Sequence, residues 1–134
     1  MNDSLPWDDL VAAAWAARAR AHAPYSGFAV GAAVLAADGS VWAGCNVENL
    51  SYGLTMCAER VALGNAIVSG HRDFLAMVVV ADTAEPISPC GACRQVLAEF
   101  GDFPVRAVNA GGLKVENLVS VWLPRASTGI LDRS

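Results

Sequence analysis

Two short patterns place thiols and a carboxylate where they could act together: Cys57-Ala58-Glu59 and Pro89-Cys90-Gly91-Ala92-Cys93. Two thiolates separated by two residues can bind one metal ion from a single turn of chain. Cys57 lies far enough upstream of Cys90 for one helix and one strand to fit between, so the fold can return it to the same place. Three ligands leave one tetrahedral position of Zn²⁺ open, which marks a catalytic rather than a structural site. Zinc lowers the pKa of bound water to about 7, and a nearby carboxylate can take the proton. Glu59 is the candidate. On an ideal helix, residues two apart point about 200° away from each other. Cys57 and Glu59 therefore face one site only if Cys57 occupies the helix cap. Both patterns open a helix, where unpaired N–H groups and the dipole favour thiolate.

The elements that must position these residues follow from periodicity and punctuation. Trp7, Leu10, Val11, Ala14 and Trp15 share one face of a 3.6-residue period, with Ser4 and Pro6 as start signals and Pro24 as the stop. Tyr25-Ser26-Gly27 is a turn. Apolar runs at 29–36 and 41–47 flank Asp38-Gly39 and predict a β-hairpin. Residues 48–55 lack periodicity and predict a loop. Residues 57–69 predict a helix stopped by Gly70. The stretch 74–81 is apolar at every position, as in a strand covered on both faces. After the turn at Ser88-Pro89-Cys90-Gly91, a helix through Val96, Leu97 and Phe100 ends at Gly101. A short strand at 104–108 follows, then a weaker apolar element at 118–123. This order predicts a single α/β domain over 1–134: three α/β/α layers around a mixed five-stranded sheet.

Composition excludes several classes. The chain has 134 residues, is 54% hydrophobic and only 16% charged, which is too apolar for a disordered chain and enough for one core. Its formal net charge is −4 and its nine basic residues form no stripe, so no nucleic-acid partner is expected. No apolar run reaches the roughly 18 residues of a membrane span. The first ten residues carry three Asp and no Lys or Arg, unlike a secretory signal, and a cytoplasmic location is the default. In that reducing setting four cysteines predict metal binding or catalysis rather than disulfides.

Cys57-Ala58-Glu59-Arg60 and Pro89-Cys90-Gly91-Ala92-Cys93-Arg94-Gln95 resemble the cytidine deaminase family, whose zinc site pairs such motifs with a non-ligand Glu. Tyr25-Ser26-Gly27-Phe28-Ala29-Val30-Gly31-Ala32-Ala33 resembles the family's first hairpin strand. Gly44-Cys45-Asn46-Val47-Glu48-Asn49 resembles its nucleoside-binding segment. The resemblance runs from about Tyr25 to Leu97 and implies the small three-cysteine class, a cytoplasmic homotetramer serving pyrimidine salvage. It implies one zinc per chain on Cys57, Cys90 and Cys93, with Glu59 as proton shuttle. Asn46 and Glu48 would hold the ribose hydroxyls, Phe28 would pack on the base, and the Ala58 backbone would meet its polar edge. Arg60 would sit beside the thiolates. Three thiolates and Zn²⁺ sum to −1, and a guanidinium offsets that charge independently of any resemblance. The implied reaction is hydrolytic deamination of cytidine or deoxycytidine to the uracil nucleoside and ammonia.

One departure stands near the end. Trp122-Leu123-Pro124-Arg125-Ala126-Ser127 places Ser127 where the family has a Phe that reaches a neighbouring subunit's pocket. Trp122 or Ile130 is the alternative lid. An open lid favours substrates such as N4-substituted cytidines or an aminonucleoside antibiotic like blasticidin S. A non-catalytic, zinc-stabilised interaction module is the rival of another class, and a closed site with Cys45 as fourth ligand would fit it. Against that, a Cys in an apolar strand is more often a small buried hydrophobe. Away from the resemblance, Asn46 and Glu48 could equally cap a turn, and Phe28 would be core. His22 and His71 read as surface residues, and Trp7 and Trp15 as helix packing.

Overall fold

The computed structural model describes residues 4–127. A helix at Trp7–Arg18 (α1) leads to strands Val30–Ala36 (β1) and Val41–Cys45 (β2), helix Ala58–Val68 (α2) and strand Phe74–Ala81 (β3). Helix Gly91–Ala98 (α3), strands Pro104–Asn109 (β4) and Lys114–Leu118 (β5), and a single turn at Val119–Trp122 (α4) complete the chain. The five strands form one mixed sheet in the order β2-β1-β3-β4-β5. Only the β3–β4 contact is parallel; the other three neighbouring pairs are antiparallel. Because β1 opposes both β2 and β3, strands β2, β3 and β4 all run the same way.

The alternation of side chains across the sheet creates two apolar layers. Val30, Ala32, Val34 and Ala36 of β1 pack with Ala58, Ala62 and Leu63 of α2 and Leu97 of α3. On the opposite face, Ala33, Leu35, Val78 and Val80 pack under Trp7, Leu10 and Ala14 of α1. Helices α2 and α3 lie on one face, so the β2-α2-β3 and β3-α3-β4 crossovers have the same sense. Strand β3 is buried at every position but Leu75. Arg106 on β4 ties the α1 side together: it bonds Glu116 Oε1 of β5 at 3.0 and 2.6 Å, and its guanidinium lies 4.0 Å from the centroid of the Trp7 ring.

Three boundaries differ from the sequence expectation: the end of α1, the end of β2, at Cys45 instead of 47, and the place of the fifth strand. Helix α1 ends at Arg18 rather than near Pro24, because the chain next turns and then joins the end of β2. There His22 N donates to Asn46 O at 3.0 Å, and Glu48 N donates to His22 O at 2.8 Å. His22 is exposed, as expected, whereas His71 is half-buried, its ring 5.3 Å from that of Trp42. The fifth strand is 114–118, one element earlier than the apolar stretch at 118–123, most of which forms α4. Edge strand β5 has one neighbour and is mostly exposed, so it lacks the apolar run that marks a buried strand.

Helix α2 is seated against β2 by a missing side chain. A Cβ on Gly44 would stand 2.3 Å from Ala62 N and 2.8 Å from Ala58 O, both backbone atoms that cannot step aside. Gly44→Ala is therefore expected to push α2 off the sheet and lower stability by about 1–3 kcal/mol, the usual cost of overpacking. Urea denaturation at constant m-value measures this.

Candidate active site

The carboxyl ends of β2, β3 and β4 and the amino end of β1 share one edge of the sheet, the edge at which crossover folds gather ligands. Helices α2 and α3 both begin there. Cys57 caps α2 with extended backbone (φ −74°, ψ 151°), and Cys90 caps α3 in nearly the same conformation (φ −67°, ψ 164°). Neither thiol is committed to helical geometry, which is how Cys57 and Glu59 come to serve one site although they are two residues apart.

Cys57 Sγ lies 3.7 Å from Cys90 Sγ, and Cys90 Sγ lies 3.4 Å from Cys93 Sγ. All three sulfurs fall within 4.8 Å of one another, the single such cluster of metal-ligating groups among the described residues. Zn–S bonds of about 2.3 Å in a tetrahedron require sulfurs about 3.8 Å apart, so the three thiols fit Zn²⁺ with small adjustments. Cys93 N donates to Cys90 Sγ at 3.4 Å, and Arg60 NH2 donates to Cys57 Sγ at 3.4 Å. Hydrogen bonding from Cys93, helped by Arg60, pulls the Cys57 thiol down to about 5, and the same bond to Cys57, followed by burial, pushes Cys93 up. The sulfurs thus share a proton that a soft divalent cation can displace. Arg60 also donates to Thr55 O at 3.5 Å, and the thiolate strengthens its hold on its own proton. Cys45 stays apart, in a groove with Ala13, Ala16, Ala17 and Arg20, so it does not close the site.

A cavity of about 240 Å³ opens beside the sulfurs, lined by Phe28, Val30, Asn46, Thr55, Cys57, Ala58, Glu59, Ile87, Ser88 and Cys90. Glu59 is 4% exposed, and burial first, then the Cys57 thiolate, raises its carboxyl to about 7. Phe28 is 42% exposed on the cavity wall instead of buried in the core. Asn46 is buried, with Oδ1 accepting from Val30 N at 2.9 Å and Nδ2 donating to Phe28 O at 2.8 Å. It fixes the entry of β1 while still facing the cavity. Glu48 faces an adjoining hollow with Tyr25, Ser26, Tyr52 and Thr55 rather than the same wall. Its carboxylate accepts from Tyr25 N at 3.0 Å, Ser26 N at 3.1 Å and the Ser26 hydroxyl, which holds it below the usual carboxylate range.

Sequence reasoning missed Ser26 and Thr55. Ser26 Oγ also accepts from Phe28 N at 2.9 Å, an ST-turn that orients the aromatic ring; a Ser two residues before Phe28 was the available signal. Thr55 borders both hollows and has no local signature. Ser127 is exposed and does not line the cavity of its own chain. Trp122 is packed against the core with Nε1 donating to Val105 O at 3.3 Å, so it is no lid for that cavity. Ile130 lies outside the described residues.

Residues 7–109 match the family described as the cytidine and deoxycytidylate deaminase zinc-binding region. A cytidine deaminase of Sporosarcina psychrophila is 51% identical over 121 residues, covering 89% of each chain. One from Halalkalibacterium halodurans is 54% identical over 121 residues, covering 89% of this chain and 92% of the relative. The crystal structure of cytidine deaminase from Burkholderia pseudomallei superposes with a TM-score of 0.87 at 49% identity, covering 90% of this chain and 98% of the other.

The buried Glu59 has a consequence that can be measured on metal-free protein. Its carboxyl sits near 7 in the fold against an ordinary 4.5, so ionising it penalises the folded state. The penalty is absent below about pH 4.5 and complete above about pH 7. Glu59→Gln is expected to gain about 1–3 kcal/mol of stability at pH 8 and nothing at pH 4.5. Denaturant titrations at the two pH values check both sign and window.

Proposed function

The chain belongs to the cytidine and deoxycytidylate deaminase zinc-binding family, and on that premise we propose that it hydrolyses cytidine and deoxycytidine to the uracil nucleoside and ammonia. One observation carries this: three sulfurs within 4.8 Å of one another border a cavity whose wall holds a buried, proton-retaining Glu59. Cys57, Cys90 and Cys93 would hold one zinc ion per chain. When bound, zinc supplies the Lewis acidity that makes water a nucleophile near neutral pH.

The chain's own residues do the rest. Glu59, poised near neutrality, takes the two protons of the attacking water in turn, passing the first to ring N3 and the second to the leaving amine. Water's oxygen ends as the C4 carbonyl oxygen, and the C4–N bond breaks to release ammonia. Phe28 packs on the base, and the Ala58 backbone at the start of α2 meets its polar edge. Asn46 and the ionised Glu48 take the ribose hydroxyls from the adjoining walls. Arg60 offsets thiolate charge and keeps the centre from becoming too electron-rich to activate water. Purified protein should hold about one zinc per chain, and Cys90→Ala should lose metal and activity together. Glu59→Gln should keep the metal and lose 10²–10⁴-fold in turnover, the usual share of acid–base catalysis. Metal analysis beside an absorbance assay on cytidine, deoxycytidine and N4-methylcytidine decides this; near-normal turnover by Glu59→Gln overturns the role. Ser127, standing where the family resemblance implies an aromatic lid, gives the N4-substituted substrate its place in that panel.

The span 1–134 acts as one domain, cytoplasmic, with a nucleoside substrate and no nucleic-acid or membrane partner. Among the described residues no helix is long and apolar enough to cross a membrane. A homotetramer is supported by the loop beside the cavity, where Leu50, Tyr52 and Leu54 are 78%, 74% and 68% exposed. Apolar groups so gathered mark an interaction surface. Sedimentation at micromolar concentration should give four times the 13.9 kDa chain mass; a fully active monomer would refute the assembly.

A further inference from the structure

Arg94 follows Cys93 on α3 and has no part in the chemistry above. Its Nε donates to Pro89 O at 2.7 Å and its NH1 to Trp122 O at 2.7 Å. The guanidinium carbon also lies 5.1 Å from the centroid of the Trp122 ring. One planar cation thus joins the residue immediately before Cys90 to α4. Next to it, Gln95 makes a reciprocal pair with the backbone of Ser127: Nε2 donates to Ser127 O, and Ser127 N donates to Oε1, both at 3.0 Å.

The approach to Cys90 is packed through Ile87 and Pro89 but is poor in hydrogen bonds. Pro86 and Pro89 lack N–H groups. Among the described residues, segment 86–89 makes a single hydrogen bond, the one from Arg94. Pro89 is buried, so its position is tied to the core around it. Cys93 is fixed inside α3 and Cys57 by the cap of α2, whereas Cys90 stands at a junction. On its C-terminal side α3 fixes it, through Cys93 N to its sulfur and Arg94 N to its carbonyl. On its N-terminal side, beyond the packing of Pro89, the Arg94 side chain makes the one hydrogen bond among the described residues.

We propose that Arg94 is a positioning residue that holds the Pro89-Cys90 turn so that Cys90 Sγ stays within reach of the metal, with α4 as its anchor. This rests on the zinc assignment above. Only a guanidinium carries two divergent donors in one plane while stacking on an indole; a lysine ammonium can serve one carbonyl at a time.

The test is the rate at which zinc-loaded protein, shown folded by circular dichroism, yields its metal to the colorimetric chelator 4-(2-pyridylazo)resorcinol. Arg94→Gln should release zinc ~10–100-fold faster, the range seen when a group orienting a metal ligand is lost. Arg94→Lys should fall between it and the wild type. Gln95→Ala loses the Ser127 clamp but keeps the Pro89 bond, and should release zinc close to the wild-type rate. General loosening of α3 would accelerate Gln95→Ala and Arg94→Gln alike and overturns the proposal. Wild-type rates in both Arg94 variants also overturn it. If Arg94→Gln does not fold, the Arg94→Lys rate against wild type decides. A wild-type protein without zinc removes the metal assignment itself, a result distinct from these.

Discussion

Three thiols are brought to one point, and ionised sulfurs this close repel one another strongly in a half-buried setting. The cluster is tenable because positive potential surrounds it. Two helix amino termini open beside it, with Cys57 and Cys90 at the caps, and Arg60 donates to the Cys57 sulfur. Without a metal, a shared proton completes the balance. With one, the same sulfurs have a spacing close to that of tetrahedral zinc. The placement of both helices, and hence of the sheet edge from which they start, answers to this requirement.

The sheet order meets it economically. Strands β2, β3 and β4 end on one edge, and α2 and α3 return across one face, so both helices start at the same place. Gly44 lets the α2 backbone approach β2 more closely than any side chain would permit. That contact fixes the direction in which Cys57, Ala58 and Glu59 leave the cap.

Glu59 shows how the same packing sets chemistry. Its neighbours on α2, Ala58, Ala62 and Leu63, are core residues, and the helix carries the carboxyl into a nearly dry position. Desolvation raises it towards neutrality, where a carboxyl can both accept and return a proton. Glu48, by contrast, is only half-buried and triply hydrogen-bonded, and stays ionised. Two carboxylates beside one cleft thus differ in charge because their surroundings differ.

The three-thiol cluster, the carboxyl beside it and the order of elements up to β4 were legible in the sequence. Their signals are local: a Pro-Cys-x-x-Cys turn, a Cys-x-Glu start, an Asp-Gly hairpin and an apolar run at 74–81 each encode geometry within a few residues. The ends of α1 and β2 were not, because the bridge between His22 and Val47 stops both, and that contact joins residues distant in sequence. Strand β5 was hidden because an edge strand needs no apolar run. Whether Phe28 belonged to core or cavity depended on the Ser26 turn and on Asn46 pinning Phe28 O and Val30 N across the sheet. Asn46 and Glu48, two apart, would share a face on a regular strand. The bridge at Val47 ends that regularity and sends them to adjoining hollows. The sequence by itself determined which atoms could bind metal and move protons, since that depends on residue type and short spacing. Tertiary structure alone decided their charge states and their walls, since burial and neighbours come from segments far apart in the chain.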